Sequence, residues 1–226
     1  MLAKFKVSNF KSFDKDFLFD LTDISGYNFN AECIKDGLVN NALVYGHNGV
    51  GKSNLGLAIF DIIEHLTDQE KNENEYSEYL NGYNKSSYAD FFYEFLINSK
   101  KVNYEYKKSD YKTIVYEKFS INDEVLVEID RNISNIATIN FKGAETLKSD
   151  IKNNELSVLK YVKNNSILDD NSTNNTFLEF FKFVDGMLFF RSLRKNMYLG
   201  LEKNNKRNSI DDIIENNNVE DFNSFL

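Results

Sequence analysis

Proline and tryptophan are absent from the 226 residues, cysteine occurs once and histidine twice. Without proline no turn can be set by a locked φ, so chain reversals fall to Asn, Asp and Gly. The lone Cys33 excludes an intrachain disulfide, and with only His47 and His65 beside it a zinc site of the usual N and S ligands cannot be assembled. A reducing, cytoplasmic setting fits that usage. Also missing is any apolar run near the roughly 20 residues of a membrane span, the nearest being short clusters such as Met187 to Phe190. At the start, Lys4 and Lys6 interleave with apolar residues, which is not the pattern of a signal peptide. Positive charge is in deficit, with a formal net charge of -8, and this argues against a broad non-specific grip on nucleic acid. A local basic groove stays open.

Hydrophobic residues make up 42% of the chain, enough for one large domain or two small ones. Residues 2–7 alternate as a strand does, and Asp16 to Leu21 form a second apolar segment after the turn at Lys11 to Lys15, so an amino-terminal hairpin is expected. After a loop with Gly26, Asn28 and Asn30, the run Asn41-Ala-Leu-Val-Tyr45 stops at Gly46 and predicts a short buried strand. From Lys52 to Leu66 the apolar positions Leu55, Ala58, Ile59, Ile62, Ile63 and Leu66 recur at three- and four-residue spacing and predict an amphipathic helix. Thr67 to Asn84, with Asp68, Glu70, Glu73, Glu75 and Glu78, reads as a solvated excursion.

Between Tyr88 and Ile139, runs of Phe, Tyr, Val and Ile are broken by Asn98-Ser99-Lys100, Lys108-Ser109-Asp110 and Asn122-Asp123, the look of an antiparallel meander. Beyond Gly143 the pattern turns helical at Leu156 to Val162 and at Phe177 to Val184, with one more strand expected at Met187 to Leu193. The Asp169 to Asn175 loop has calcium-loop residue types, but counted from Asp169 it lacks the glycine at the sixth position and the acid at the twelfth. Ser209 and Asn218 are candidate helix caps near the end of the chain.

Gly46-His47-Asn48-Gly49-Val50-Gly51-Lys52-Ser53 has the Walker A spacing. Its glycines permit positive φ and close backbone approach, so that successive amides can converge on a phosphate. The helix opening near Lys52 adds free amides and the positive end of its dipole. Lys52 is suited to bridge β- and γ-phosphate oxygens, and Ser53 to ligate Mg2+. By chance alone the bare pattern arises in roughly one chain in a hundred of this size. The expected order of strand, glycine loop and helix removes most of those cases. Residues 46–53, with Asn54 behind them, are the candidate site for ATP and Mg2+.

The run Asn41 to Asn54, taken with Phe5-Lys-Val-Ser-Asn-Phe-Lys-Ser-Phe13, resembles the head of bacterial AAA family ATPases of the RecF and SMC-like (ABC-type) group. The aromatic stretch Ala89 to Arg131 also looks like the antiparallel subdomain that follows the first helix in that group, so the resemblance covers residues 1 to about 140. It implies an α/β P-loop NTPase fold with a mixed sheet. An ATP-binding lobe at 1–150 would contain an antiparallel β subdomain at about 86–141, and a helical carboxy-terminal part at 151–226 would begin a larger region. It implies further that Phe10, Lys11 and Ser12, in the turn that closes the first hairpin, contact base or ribose; for Phe10 and Phe13, packing of the hairpin on the core is an equal alternative. Heads of the group dimerise around nucleotide and often gate a DNA-related activity in repair or phage defence. A homodimer formed through the nucleotide, and an effector nuclease or DNA, are therefore the implied partners, with no membrane.

Hydrolysis needs parts beyond the phosphate cradle. The nearest run to a Walker B strand, Val125-Leu-Val-Glu-Ile-Asp130, is interrupted by Glu128 and reads as a surface strand. No Leu-Ser-Gly-Gly type signature or late switch histidine follows, and the one glutamine, Gln69, lies directly after the first helix. The chain is thus expected to be the amino-terminal part of a longer ATPase, inactive alone. A non-hydrolysing nucleotide sensor that uses only the cradle is the alternative. A small-molecule kinase is disfavoured by the long antiparallel stretch and by the scarcity of arginine, present only at Arg131, Arg191, Arg194 and Arg207.

Overall fold

The computed structural model describes residues 1–26, 30–68, 76–191 and 197–200, with side chains as far as Leu188. In chain order its elements are β1 Leu2–Ser8, β2 Phe17–Asp20, a 3-10 turn Ala31–Cys33, β3 Ile34–Lys35, β4 Leu38–Val39, α1 Lys52–Leu66, β5 Ala89–Ile97, β6 Lys100–Lys108, β7 Ile114–Ile121, β8 Glu124–Asp130, β9 Thr138–Ile139, α2 Val158–Asn165, α3 Ser172–Asp185, β10 Leu188–Arg191 and β11 Met197–Gly200. A seven-stranded sheet in the order β2-β1-β5-β6-β7-β8-β9 dominates this mixed α/β structure, and every pairing within it is antiparallel. One compact unit runs from Met1 to Val184, so α2 and most of α3 belong with the sheet; the second, from Asp185, contains the β10–β11 hairpin. Among the described residues no helix is long and apolar enough to cross a membrane. Asn28, Gln69, Glu70, Glu73, Glu75, Arg194, Arg207, Ser209 and Asn218 lie outside the described residues.

Alternation in the sequence sets the two faces of the sheet. Registered rows cross it on the inner face, Phe5–Tyr93–Tyr104–Phe119–Val127 and Val7–Phe91–Tyr106–Glu117–Ile129, and all of these side chains are buried. Both tight turns of the meander place two residues at positive φ, Asn98 and Ser99 after β5 and Asn122 and Asp123 after β7. That conformation matches the twist of a two-residue hairpin and suits Asn and Asp, the residues left for turns in a chain without proline. Helix α1 packs on the inner face through Tyr93, whose hydroxyl donates to the Ala58 carbonyl at 2.9 Å. On the same face α3 packs through Phe180 against Phe95, Tyr104 and Phe119.

Two carboxylates are fully buried in this layer, each with several donors. Asp61 of α1 accepts from Tyr79 and Tyr106 hydroxyls and pairs with the Lys108 ammonium at 2.8 Å. Burial, and then the Asp61 charge, raises the Tyr79 and Tyr106 hydroxyls well above their usual range, so both stay protonated donors. Glu117 accepts from Tyr104, from Ser157, and from the Val158 amide at the start of α2. The Ser157 hydroxyl in turn caps α2 by accepting from the Lys160 amide. A Glu117→Gln substitution turns one acceptor into a donor facing donors, and is expected to cost about 1–3 kcal/mol in urea unfolding. A neutral result would mean that water reaches that carboxylate.

On the outer face charges alternate across strands: Lys4 with Asp20, Lys107 with Asp90, and Lys118 between Glu105 and Glu128. Asp20 closes β2 by accepting from the Thr22 hydroxyl and amide, and these bonds, aided by Lys4, hold its carboxyl below the ordinary range. A depressed carboxylate stabilises above the unfolded pKa of about 3.9 and stops doing so as pH falls through the lower folded value. Asp20→Asn is therefore expected to lower the melting temperature slightly at pH 7 and to leave it unchanged near pH 2, a difference that paired thermal melts will read.

Two expectations fail in this architecture and a third holds in part. Every pairing among the described strands is antiparallel, so the mixed sheet that the resemblance implies is not formed by them. Residues 41–45 form no strand, and Leu43 and Tyr45 are each 87% exposed. No described strand pairs with them, so their backbone joins no ladder and their apolar side chains stay uncovered. The described part of the 67–84 excursion is solvated at Asp68 and Glu78 as expected but packed elsewhere: Tyr76 and Tyr79 are buried, and the Tyr79 ring meets Phe10 edge-on.

Candidate phosphate-binding loop

Residues 46–50 are exposed, and the chain curls there before entering α1. A Cβ built on Gly46 would lie 3.1 Å from Val50 Cγ2, so the two ends of the loop approach one another closely. Gly49 and Gly51 have φ of 86° and 98°, a region that a residue with a side chain enters only at a cost. At Gly51 the restriction is double, because a Cβ would also meet Ser12 Oγ at 2.6 Å.

Gly51 is the N-cap of α1 and brings no side-chain acceptor. The first bonded amide of the helix is Leu55, which donates to the Gly51 carbonyl at 2.9 Å. The amides before it are left for an acceptor from outside, at the positive end of the helix dipole. Lys52 Nζ donates to the Gly46 and His47 carbonyls at 2.6 and 2.7 Å. These two bonds tie the start of the loop to its end, and an ammonium has three donors, so one remains for a ligand oxygen. Cap-free amides, two glycines at positive φ and a lysine bridging the loop make a cradle suited to an anion.

Of the other site residues, Ser53 and Val50 are exposed on the loop and the first turn of α1. Asn54 Nδ2 donates to Ser12 Oγ at 3.0 Å, which brings the hairpin turn to the loop. Phe10 takes the second of its two readings: it is fully buried between Tyr79 and Phe91, out of reach of any base. Lys11 reaches back to the Ser77 carbonyl at 2.9 Å. The turn therefore presents Ser12 to the loop and packs Phe10 behind it.

Among the described residues no group of three or more His, Cys, Asp and Glu is placed to hold a metal ion. A cation at Ser53 would thus take most of its ligands from phosphate oxygens and water, which is common for Mg2+. The carboxylates of β8 are occupied elsewhere: Glu128 accepts from Tyr116 and faces Lys118, and Asp130 accepts from the Asn132 amide. Arg131 is committed to the Ile114 and Leu156 carbonyls, and burial lowers its pKa. Sequence reasoning passed over Asn9 and Asn81, which hold the hairpin turn; the visible hint was an asparagine at the start of a turn without proline. No protein-family model matches the chain, and no curated protein matches it either.

Proposed function

We propose that the loop Gly46 to Ser53 binds the polyphosphate of a nucleoside triphosphate, ATP with Mg2+, in a P-loop protein of ABC/SMC-like type. The observation that carries this is the uncapped, glycine-started N-terminus of α1 beneath a loop whose carbonyls are bridged by Lys52. In this proposal the amides around Gly49 to Ser53 hold phosphate oxygens, Lys52 balances their charge, and Ser53 contributes a hydroxyl to Mg2+. Bound Mg-ATP would supply a phosphoanhydride as glue or fuel. In the fuller form of the proposal the bound nucleotide joins two copies of a head that gates a nuclease or another DNA-related effector, a step that rests on the resemblance alone.

A second reading, a nucleotide sensor without turnover, is favoured by one observation. Among the described strands β8, whose Val125 to Asp130 run comes nearest to a Walker B pattern, has Glu128 and Asp130 already engaged, with Tyr116 and with the Asn132 amide. Isothermal titration with ATP and with GTP, each with and without Mg2+, tests the site. Saturable Mg2+-dependent binding is expected, and a protein that gives no heat and no thermal shift with either nucleotide would overturn the proposal. Phosphate release from wild type that is absent in a Lys52→Ala variant would then exclude the sensor.

A further inference from the structure

The turn that brings Ser12 to the loop is held in place by two buried asparagines. Asn9 and Lys11 have φ of 53° and 46°, a conformation Asn adopts readily but one that a lysine keeps only where neighbouring bonds enforce it. Asn9 is 1% exposed; its Nδ2 donates to the Ser86 and Tyr88 carbonyls at 2.8 and 2.7 Å, and its Oδ1 accepts from the Asn81 amide at 3.2 Å. Asn81 answers in kind: its Nδ2 donates to the Lys11 carbonyl at 2.6 Å, while its Oδ1 accepts from the Tyr83 and Asn84 amides at 2.9 and 3.2 Å. The Lys11 amide donates to the Tyr79 carbonyl at 3.0 Å, and Asn84 donates to the Asp14 carbonyl.

Asn9 thus uses both ends of its amide to join the hairpin turn to the chain between Tyr79 and Tyr88, whereas Asn81 reaches the turn with its Nδ2 and folds its own segment with its Oδ1. Beyond the turn the chain of contacts continues to the loop: Ser12 Oγ accepts from Asn54 in the first turn of α1 and fills the space beside Gly51. We propose that Asn81 and Asn9 are positioning residues of the phosphate loop. They seat Ser12 against Gly51 and Asn54, and they link the loop to the entrance of β5 at Tyr88. The assignment to a nucleotide site rests on the function proposed above. The physical reason is that a nest of amides is selective only while its geometry holds to a fraction of an ångström, and Ser12 is the contact that holds Gly51 from the side.

Asn81→Asp is the discriminating variant. It keeps an oxygen for the Tyr83 and Asn84 amides but replaces the donor on the Lys11 carbonyl with a second acceptor, so the turn is released while its own loop is retained. Mg-ATP affinity is expected to fall about tenfold, with the melting temperature lowered by only a few degrees. In the nucleotide-free protein, hydrogen exchange at the Leu55 to Ala58 amides is expected to accelerate about tenfold. In a Ser12→Ala background the same change should add less than about twofold, because Asn81 acts through Ser12. Fully additive losses, or unchanged exchange at those amides, would overturn the positioning role. The exchange measurement needs no nucleotide: faster exchange in the variant beside a wild type that takes no ATP would retain the clamp and reject the nucleotide. An affinity that falls only as far as the folded fraction falls would reduce both asparagines to stabilising residues.

Discussion

Asp61→Asn is expected to cost about 3–5 kcal/mol of folding stability, the usual consequence of removing one partner of a buried ion pair. Asp61 and Lys108 are both 0% exposed and 2.8 Å apart. Lys108 also lies over the Tyr106 ring at 5.5 Å, and the Tyr79 and Tyr106 hydroxyls both end on Asp61. An amide in that place leaves an ammonium without a counter-charge and sets an N–H2 group against donors, so the loss exceeds that of one hydrogen bond. Lys108→Met alone should be as damaging, since it strands the carboxylate. The double variant Asp61→Leu with Lys108→Met should recover much of the loss, because removing both charges also removes the cost of burying them. Urea unfolding followed by circular dichroism reads all three, tryptophan fluorescence being denied by the composition. A loss below about 1 kcal/mol for Asp61→Asn would mean that the pair is hydrated in solution.

That network shows where the sequence could be read and where it could not. Helix α1 was legible to its end residues, because its apolar positions repeat on one face and Gly51 opens it. The hairpin and the meander were legible too, since alternation and Asn-rich turns are local signals. Asp61 and Lys108 are separated by 47 positions, and nothing local pairs them. Even so, both carried a faint mark: Lys108 falls in phase with inward-facing Val102, Tyr104 and Tyr106, and Asp61 sits beside Ala58 and Ile62 on the apolar side of α1. A charge in phase with a core is a signal that a partner must exist, though not which one.

The run at 41–45 failed for the converse reason. Apolar content predicts burial, but a strand also needs a neighbour to bond, and none of the described strands pairs with it. At the candidate site the glycine spacing was read correctly as a loop before a helix, but the strand expected to lead into that loop is not formed. The contact of Ser12 with Gly51 and Asn54 was hidden because it depends on how a turn 42 positions before Asn54 is held. Buried Asn9 and Asn81 hold it, and asparagines are so abundant in this chain that two more carried no message.

Lys52→Ala is expected to weaken Mg-ATP binding by at least about 100-fold, or about 2.7 kcal/mol, while changing folding stability by less than about 1 kcal/mol. Two effects add. The ammonium is the one cation placed within the loop itself, and a polyphosphate held without it keeps only neutral donors. Its bonds to the Gly46 and His47 carbonyls also brace the loop, so alanine loosens the amides that remain. Stability should be spared because the side chain is exposed where those bonds are made. Ser53→Ala separates charge from metal: it should lower affinity in the presence of Mg2+ and leave the weaker metal-free binding unchanged. Titration calorimetry of the three proteins, with and without Mg2+, checks this. If Lys52→Ala binds Mg-ATP as wild type does, the nucleotide sits somewhere other than at the start of α1, and the anion cradle there has another tenant.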